Sequence, residues 1–130
     1  LGIIINFFFY QTTLIPLFIY GIGVSEDIIN LSCKKILLTA PFVKKYALKS
    51  LNSESIDSCK YYALGAKRYA KSITLKSAEC SCADHKIINT FFYTEKAEVQ
   101  TILKACKKEI NIALSWLDEV VKTLIMCNKN

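Results

Sequence analysis

From Val99 to Cys127 the apolar side chains fall at alternating intervals of four and three residues: Val99, Leu103, Cys106, Ile110, Ala113, Leu117, Val120, Leu124 and Cys127. That interval tracks the turn of an α-helix and places the whole set on one face. Neither Gly nor Pro interrupts the run. Thr94 is the N-cap this pattern predicts, with Glu95 and Glu98 set near the positive end of the helix. The pattern accommodates one long helix or two helices joined by a short bend. Either way the apolar stripe must be buried against other helices, so the chain is expected to build a bundle.

A second segment repeats the signature. Ile56, Cys59, Ala63, Ala66, Ala70 and Ile73 share one helical face, while Lys60, Lys67, Arg68 and Lys71 fall largely on the other. Ser55 precedes this run as its N-cap. The small residues on the inner face would let a neighbouring helix approach closely. Upstream, Pro41 separates two shorter apolar pieces, Ile28 to Leu38 and Phe42 to Leu51. Proline is tolerated in the first turn of a helix, so a break at Thr39 or Ala40 and a short helical hairpin are expected. Residues 80–93, CSCADHKIINTFFY, lack a clean apolar period and read as a connector, with Phe91, Phe92 and Tyr93 covering the open end of the core. Only four glycines and two prolines occur, which argues against a β-fold with many tight turns. The expected class is all-α: a helical bundle of the four-helix type with an N-terminal helical hairpin.

Charge is distributed unevenly. The chain carries 17 basic and 11 acidic residues in 130, yet none lies between Leu1 and Ser25. Leu14 to Ile22 has the length of a signal-peptide core, and Gly23-Val24-Ser25 offers small residues for cleavage. The predicted division is a signal peptide over residues 1–25 and a mature domain over 26–130. A membrane anchor is the rival, because 25 uncharged residues could span a bilayer. All six cysteines, Cys33, Cys59, Cys80, Cys82, Cys106 and Cys127, fall in the mature segment. Behind a signal peptide an even set of this kind points to disulfides in an oxidising compartment, with the pairing left open. Cys59 faces inward and could pair with Cys106 or with Cys127. Asn30-Leu31-Ser32 is a glycosylation sequon, usable at Asn30 if the chain is secreted.

Catalysis finds little to stand on. His85 is the one histidine, and there is no GxSxG elbow, phosphate-binding glycine loop or HExxH pair. Asp57, Glu79, Asp84, Glu95, Glu98, Glu109, Asp118 and Glu119 read as solvated helix faces. No enzymatic activity, cofactor or metal is expected. Cys80, Cys82 and His85 spell C-x-C-x-x-H, whose thiolates and imidazole suit zinc. A fourth ligand and the paired C-x-x-C spacing are missing, so disulfides are the simpler use. The lysines are spread along the chain, Arg68 is the single arginine, and no run interleaves aromatic with basic residues to read bases. Nucleic acid is therefore not an expected partner, although an acidic extracellular polymer remains compatible with the charge.

Several short strings resemble the plant invertase inhibitor and pectin methylesterase inhibitor family. Ile29-Asn30-Leu31-Ser32-Cys33-Lys34-Lys35 is similar to its first-cysteine motif, and Tyr46-Ala47-Leu48-Lys49-Ser50-Leu51-Asn52-Ser53 to the segment that carries its second. Asp57 with Tyr62-Ala63-Leu64 resembles the start of its first long helix. Leu103-Lys104-Ala105-Cys106 resembles the third-cysteine motif, and Trp116-Leu117 with Cys127 the fourth. The sequence departs from the pattern at Ala47, which stands where the second cysteine is expected and leaves Cys33 without its hairpin partner. Cys59, Cys80 and Cys82 are additional, Glu109 replaces a tyrosine, and the chain ends at Asn130 before the family's last helix. The resemblance thus implies a divergent or truncated member. It implies a secreted or vacuolar protein of the apoplast or cell wall, which blocks the substrate cleft of a pectin methylesterase or an invertase and performs no chemistry itself. No membrane contact is expected once the signal is removed. The alternative is a secreted, disulfide-containing helical protein that holds a small hydrophobic molecule among Phe91, Phe92, Tyr93 and the apolar seams.

Overall fold

The computed structural model describes residues 31–127. The expected signal peptide over 1–25, its cleavage after Ser25 and the sequon asparagine Asn30 lie outside the described residues. Within them the chain forms four α-helices and no strand: α1 (Leu31–Leu51), α2 (Ile56–Thr74), α3 (Asp84–Glu98) and α4 (Leu103–Cys127). Two short 3-10 turns, Ser77–Glu79 and Ser81–Ala83, lead from α2 into α3. The protein is an all-α helical bundle, as the periodicity requires.

Short connections make consecutive helices antiparallel neighbours. Helix α1 packs on α2, α2 on α3, α3 on α4, and α4 returns to α1. Helix α2 also meets α4 across the centre. The face α2 turns inward carries Cys59, Ala63, Ala66, Ala70 and Ile73, so small side chains allow that approach. Its N-cap is the expected one: the Ser58 N–H donates to Ser55 Oγ at 3.1 Å, satisfying one of the free amides of the first turn. Helix α4 buries Cys106, Ile110, Ala113, Leu117, Val120 and Leu124, the centre of the four-three repeat.

Three expectations need correction. The first is the N-terminal hairpin: α1 runs without a break through Pro41. Its inward face, Ile36, Ala40, Val43, Ala47 and Ser50, keeps the four-three interval across the proline, and all five are buried. Pro41 itself is exposed, so its ring meets solvent rather than the core. An interior proline costs about 3 kcal/mol, and burial of a continuous apolar face offsets it. The second is the connector at residues 80–93, most of which belongs to α3. The third is the cap at Thr94, which lies inside α3 and is buried. The buried seam of α3 is Ile87, Thr90, Thr94 and Ala97, also at helical spacing. Two of those four are threonines, so a count of apolar residues alone misses the period. Their hydroxyls are satisfied within the helix: Thr90 Oγ1 donates to the Lys86 carbonyl at 2.9 Å and Thr94 Oγ1 to that of Phe91 at 2.7 Å. The long apolar run consequently starts at Leu103. Val99, read as inward, is 63% exposed in the turn between α3 and α4.

Candidate functional site

All six cysteines are paired: Cys33–Cys80, Cys59–Cys106 and Cys82–Cys127. Each bridge joins helix-terminal positions that the antiparallel topology brings together. Cys33 starts α1 and Cys80 follows the end of α2, with Cα atoms 5.2 Å apart. Cys82 precedes α3 and Cys127 ends α4, at 6.6 Å. These two close one pole of the bundle. At the other pole Cys59 and Cys106, each in the first turn of its helix, link α2 to α4 through the core at 6.4 Å. Cys106 and Cys127 lie at opposite poles of one unbroken helix, which excludes their pairing. Of the two partners open to Cys59, the structure selects Cys106.

This framework differs from the one the family resemblance implies. Ala47 is a buried core residue of α1, and Cys33 bonds to Cys80 instead. Each of the three additional cysteines is the partner of one cysteine that matched a family motif. Ser50 Oγ supports the central bridge by donating to the Cys59 carbonyl at 2.7 Å, and it lies 3.2 Å from Cys59 Sγ.

The C-x-C-x-x-H string loses its ligands to these bonds, because Cys80 and Cys82 are both oxidised. His85 sits at the start of α3 with its ring edge against Trp116, 5.6 Å between centroids, and its Nε2 lies 3.1 Å from the Asn89 side-chain nitrogen. Among the described residues no three His, Cys, Asp or Glu side chains cluster to hold a metal. Several acidic side chains form ion pairs between helices. Lys67 on α2 meets Glu98 on α3 at 2.8 Å, Lys86 meets Glu119 at 3.8 Å, and Lys96 meets Glu109 at 3.7 Å. These contacts fasten neighbouring helices.

The space among Ala70, Ile73, Ile87, Thr90, Leu117 and Val120 is too small for a water molecule. Phe91 is half-buried against the core, while Phe92 is 46% exposed and stacks edge-on with Tyr93 at 5.1 Å. These aromatics cover the side of α3 rather than an open end of the bundle.

Two recesses lie on the outside. An open groove of about 460 Å³ between α1 and α4 is lined by Leu37, Ala40, Pro41, Lys44, Leu117, Asp118, Val121 and Lys122. A second, of about 260 Å³, lies between α1 and α2 and is lined by Tyr46, Tyr61, Leu64, Gly65, Arg68 and Tyr69. Tyr69 stacks on Phe42 at 5.3 Å and on Tyr46 at 5.7 Å. Lys45 and Lys49 lie over the Tyr46 ring at 5.8 and 5.7 Å, and Lys49 also over Tyr62 at 5.6 Å. Aromatic and basic side chains therefore do interleave, across two helices rather than along one run.

The fold and its bonds thus define a small all-α bundle stapled at both poles by disulfides. Among the described residues no helix is long and apolar enough to cross a membrane. No family model, curated protein or solved structure matches the chain.

Proposed function

We propose that this protein is a secreted, non-catalytic inhibitor of a carbohydrate-active enzyme, a pectin methylesterase or an invertase, acting by steric occlusion of the substrate cleft. The observation that carries the binding half of this reading is the combination of a filled core with helix ends bonded covalently at both poles. A pre-rigidified surface loses little conformational entropy when it docks, which is what a steric blocker needs. Three disulfides suit an oxidising compartment and support secretion to the cell exterior or the vacuole. The sequence motifs around Cys33, Cys106 and Cys127 supply the target class. The rival, a small hydrophobic molecule held inside the bundle, gains no support from the recess among Ala70, Ile73, Ile87, Thr90, Leu117 and Val120, which is too small for water.

The test is a titration of the full chain, expressed through a secretory pathway so that its disulfides form, against plant pectin methylesterase and acid invertase in parallel. Saturable loss of one activity near one-to-one stoichiometry is expected. Full activity of both enzymes at a large molar excess of folded protein would overturn the target class.

A further inference from the structure

The net charge of this molecule is concentrated on one pair of helices. Helices α1 and α2 hold nine basic residues and one acidic residue, Asp57, whereas α3 and α4 together hold six of each. The same pair exposes three large aromatic rings, Phe42 at 48%, Tyr61 at 70% and Tyr69 at 36%, against Phe92 alone at 46% on α3. Among the described residues Lys45, Lys49 and Arg68 form no ion pair, and they flank the groove between the two helices. Gly65 forms part of its floor, and a Cβ there would stand 2.9 Å from Tyr46 Cδ1. The absence of a side chain at that position is what lets the Tyr46 ring lie down against α2.

We infer that the α1–α2 face binds an acidic polysaccharide of the polyuronate type. A uronate chain presents flat C–H faces, hydroxyl groups and one carboxylate per ring. The exposed ring faces provide apolar platforms, the tyrosine hydroxyls can hydrogen-bond to sugar hydroxyls, and the ammonium and guanidinium groups match the carboxylates. Three disulfides suit an oxidising compartment, where acidic glycans rather than nucleic acids are the abundant polyanions. Most of the rings are tyrosines with a polar tip, which suits a hydroxylated ligand better than the hydrocarbon of a bilayer. The inference stands independently of the enzyme target, because it concerns glycan binding and not inhibition.

The experiment measures binding of the full, oxidised chain to polygalacturonate at low salt, with single-stranded DNA and phosphatidylserine vesicles as comparison polyanions. The triple variant Lys45→Gln, Lys49→Gln, Arg68→Gln removes three exposed charges from the face. Lys104→Gln, Lys107→Gln, Lys108→Gln removes the same charge from α4. The first should weaken binding about tenfold, which is what three exposed charge contacts sum to, and the second should leave it nearly unchanged. Tyr61→Ala should weaken it about fivefold through the lost ring contact while retaining the salt dependence. Circular dichroism on each variant verifies that the bundle is intact. No binding to polygalacturonate, equal loss in the two triple variants, no effect of Tyr61→Ala, or tighter binding of DNA or vesicles through the same residues would each overturn the inference.

Discussion

At the scale of single residues, polar side chains in the core are what make this bundle hard to read and specific once folded. Ser50, Thr90 and Thr94 are almost wholly buried, yet each hydroxyl has a carbonyl partner. A buried hydroxyl left unpaired would cost about 1–3 kcal/mol, and here that cost is avoided inside the helices themselves or across the α1–α2 contact. Gly65 illustrates a different residue-scale constraint. It lies mid-helix, where alanine would be favoured by about 1 kcal/mol. Against that gain stands crowding of the Tyr46 ring near its base, at 2.9 Å to Cδ1 and 3.1 Å to Cγ, which no small tip movement relieves. Overpacking of this kind costs about 1–3 kcal/mol and outweighs the propensity term. Gly65→Ala should therefore lower stability by about 1 kcal/mol in denaturant titration. It should also change the near-ultraviolet tyrosine signal as the stack with Tyr69 shifts. A more stable variant with an unchanged spectrum would show that the ring does not rest on α2.

At the scale of elements, the decisive case is α1. Taken locally, Pro41 fits the first turn of a second helix, and the break it implies is sound in isolation. The inward stripe from Ile36 to Ser50 continues across it, so packing along the whole helix outweighs one lost backbone hydrogen bond. The two alternatives predict opposite mutational outcomes. In a continuous helix Pro41→Ala restores the bond to the Leu37 carbonyl, and the gain of about 3 kcal/mol is reduced by up to about 1 kcal/mol for the freer unfolded chain. A net stabilisation of about 2 kcal/mol is expected in thermal or chemical unfolding. An unchanged or lowered midpoint would favour the broken helix. Helix α3 teaches the same lesson from the other side. Its seam of Ile87, Thr90, Thr94 and Ala97 has helical spacing but mixed polarity, so hydrophobic periodicity passes over it. The neighbouring α2 and α4, with apolar residues at nearly every inward position, were legible directly.

At the scale of the whole molecule, the three bridges differ in exposure. Cys59 and Cys106 are fully buried, whereas Cys82 is exposed and Cys127 half-buried. Thiol–disulfide exchange needs access to the sulfur, so graded reduction should open Cys82–Cys127 first with helicity retained. Cys59–Cys106 should open only as the bundle unfolds. Alkylation mapped by mass spectrometry, with circular dichroism on the same samples, reads the order; simultaneous opening of all three would refute it. Each bridge closes a loop of 45 to 47 residues. On chain-entropy grounds one such bridge stabilises by roughly 4 kcal/mol, and overlapping loops contribute less than the sum.

The sequence by itself determined the all-α class, the positions of α2 and the body of α4, the Ser55 cap and the placement of all six cysteines after the uncharged first 25 residues. These depend on local spacing and on side-chain chemistry within a few residues, which a linear reading resolves. Only the tertiary structure decided the continuity of α1, the existence of α3, the disulfide pairing and the joint aromatic and basic face of α1 and α2. Each of these is a balance between a local preference and contacts made by residues distant in the chain. The proline penalty is overridden by a buried face, and the threonines enter the core because their hydroxyls find carbonyls. The cysteines pair according to which helix ends the antiparallel topology brings within reach. The excess of basic residues over 31–74 is already present in the sequence, but only the packing of α1 on α2 brings Lys45, Lys49 and Arg68 beside the aromatic rings of one groove.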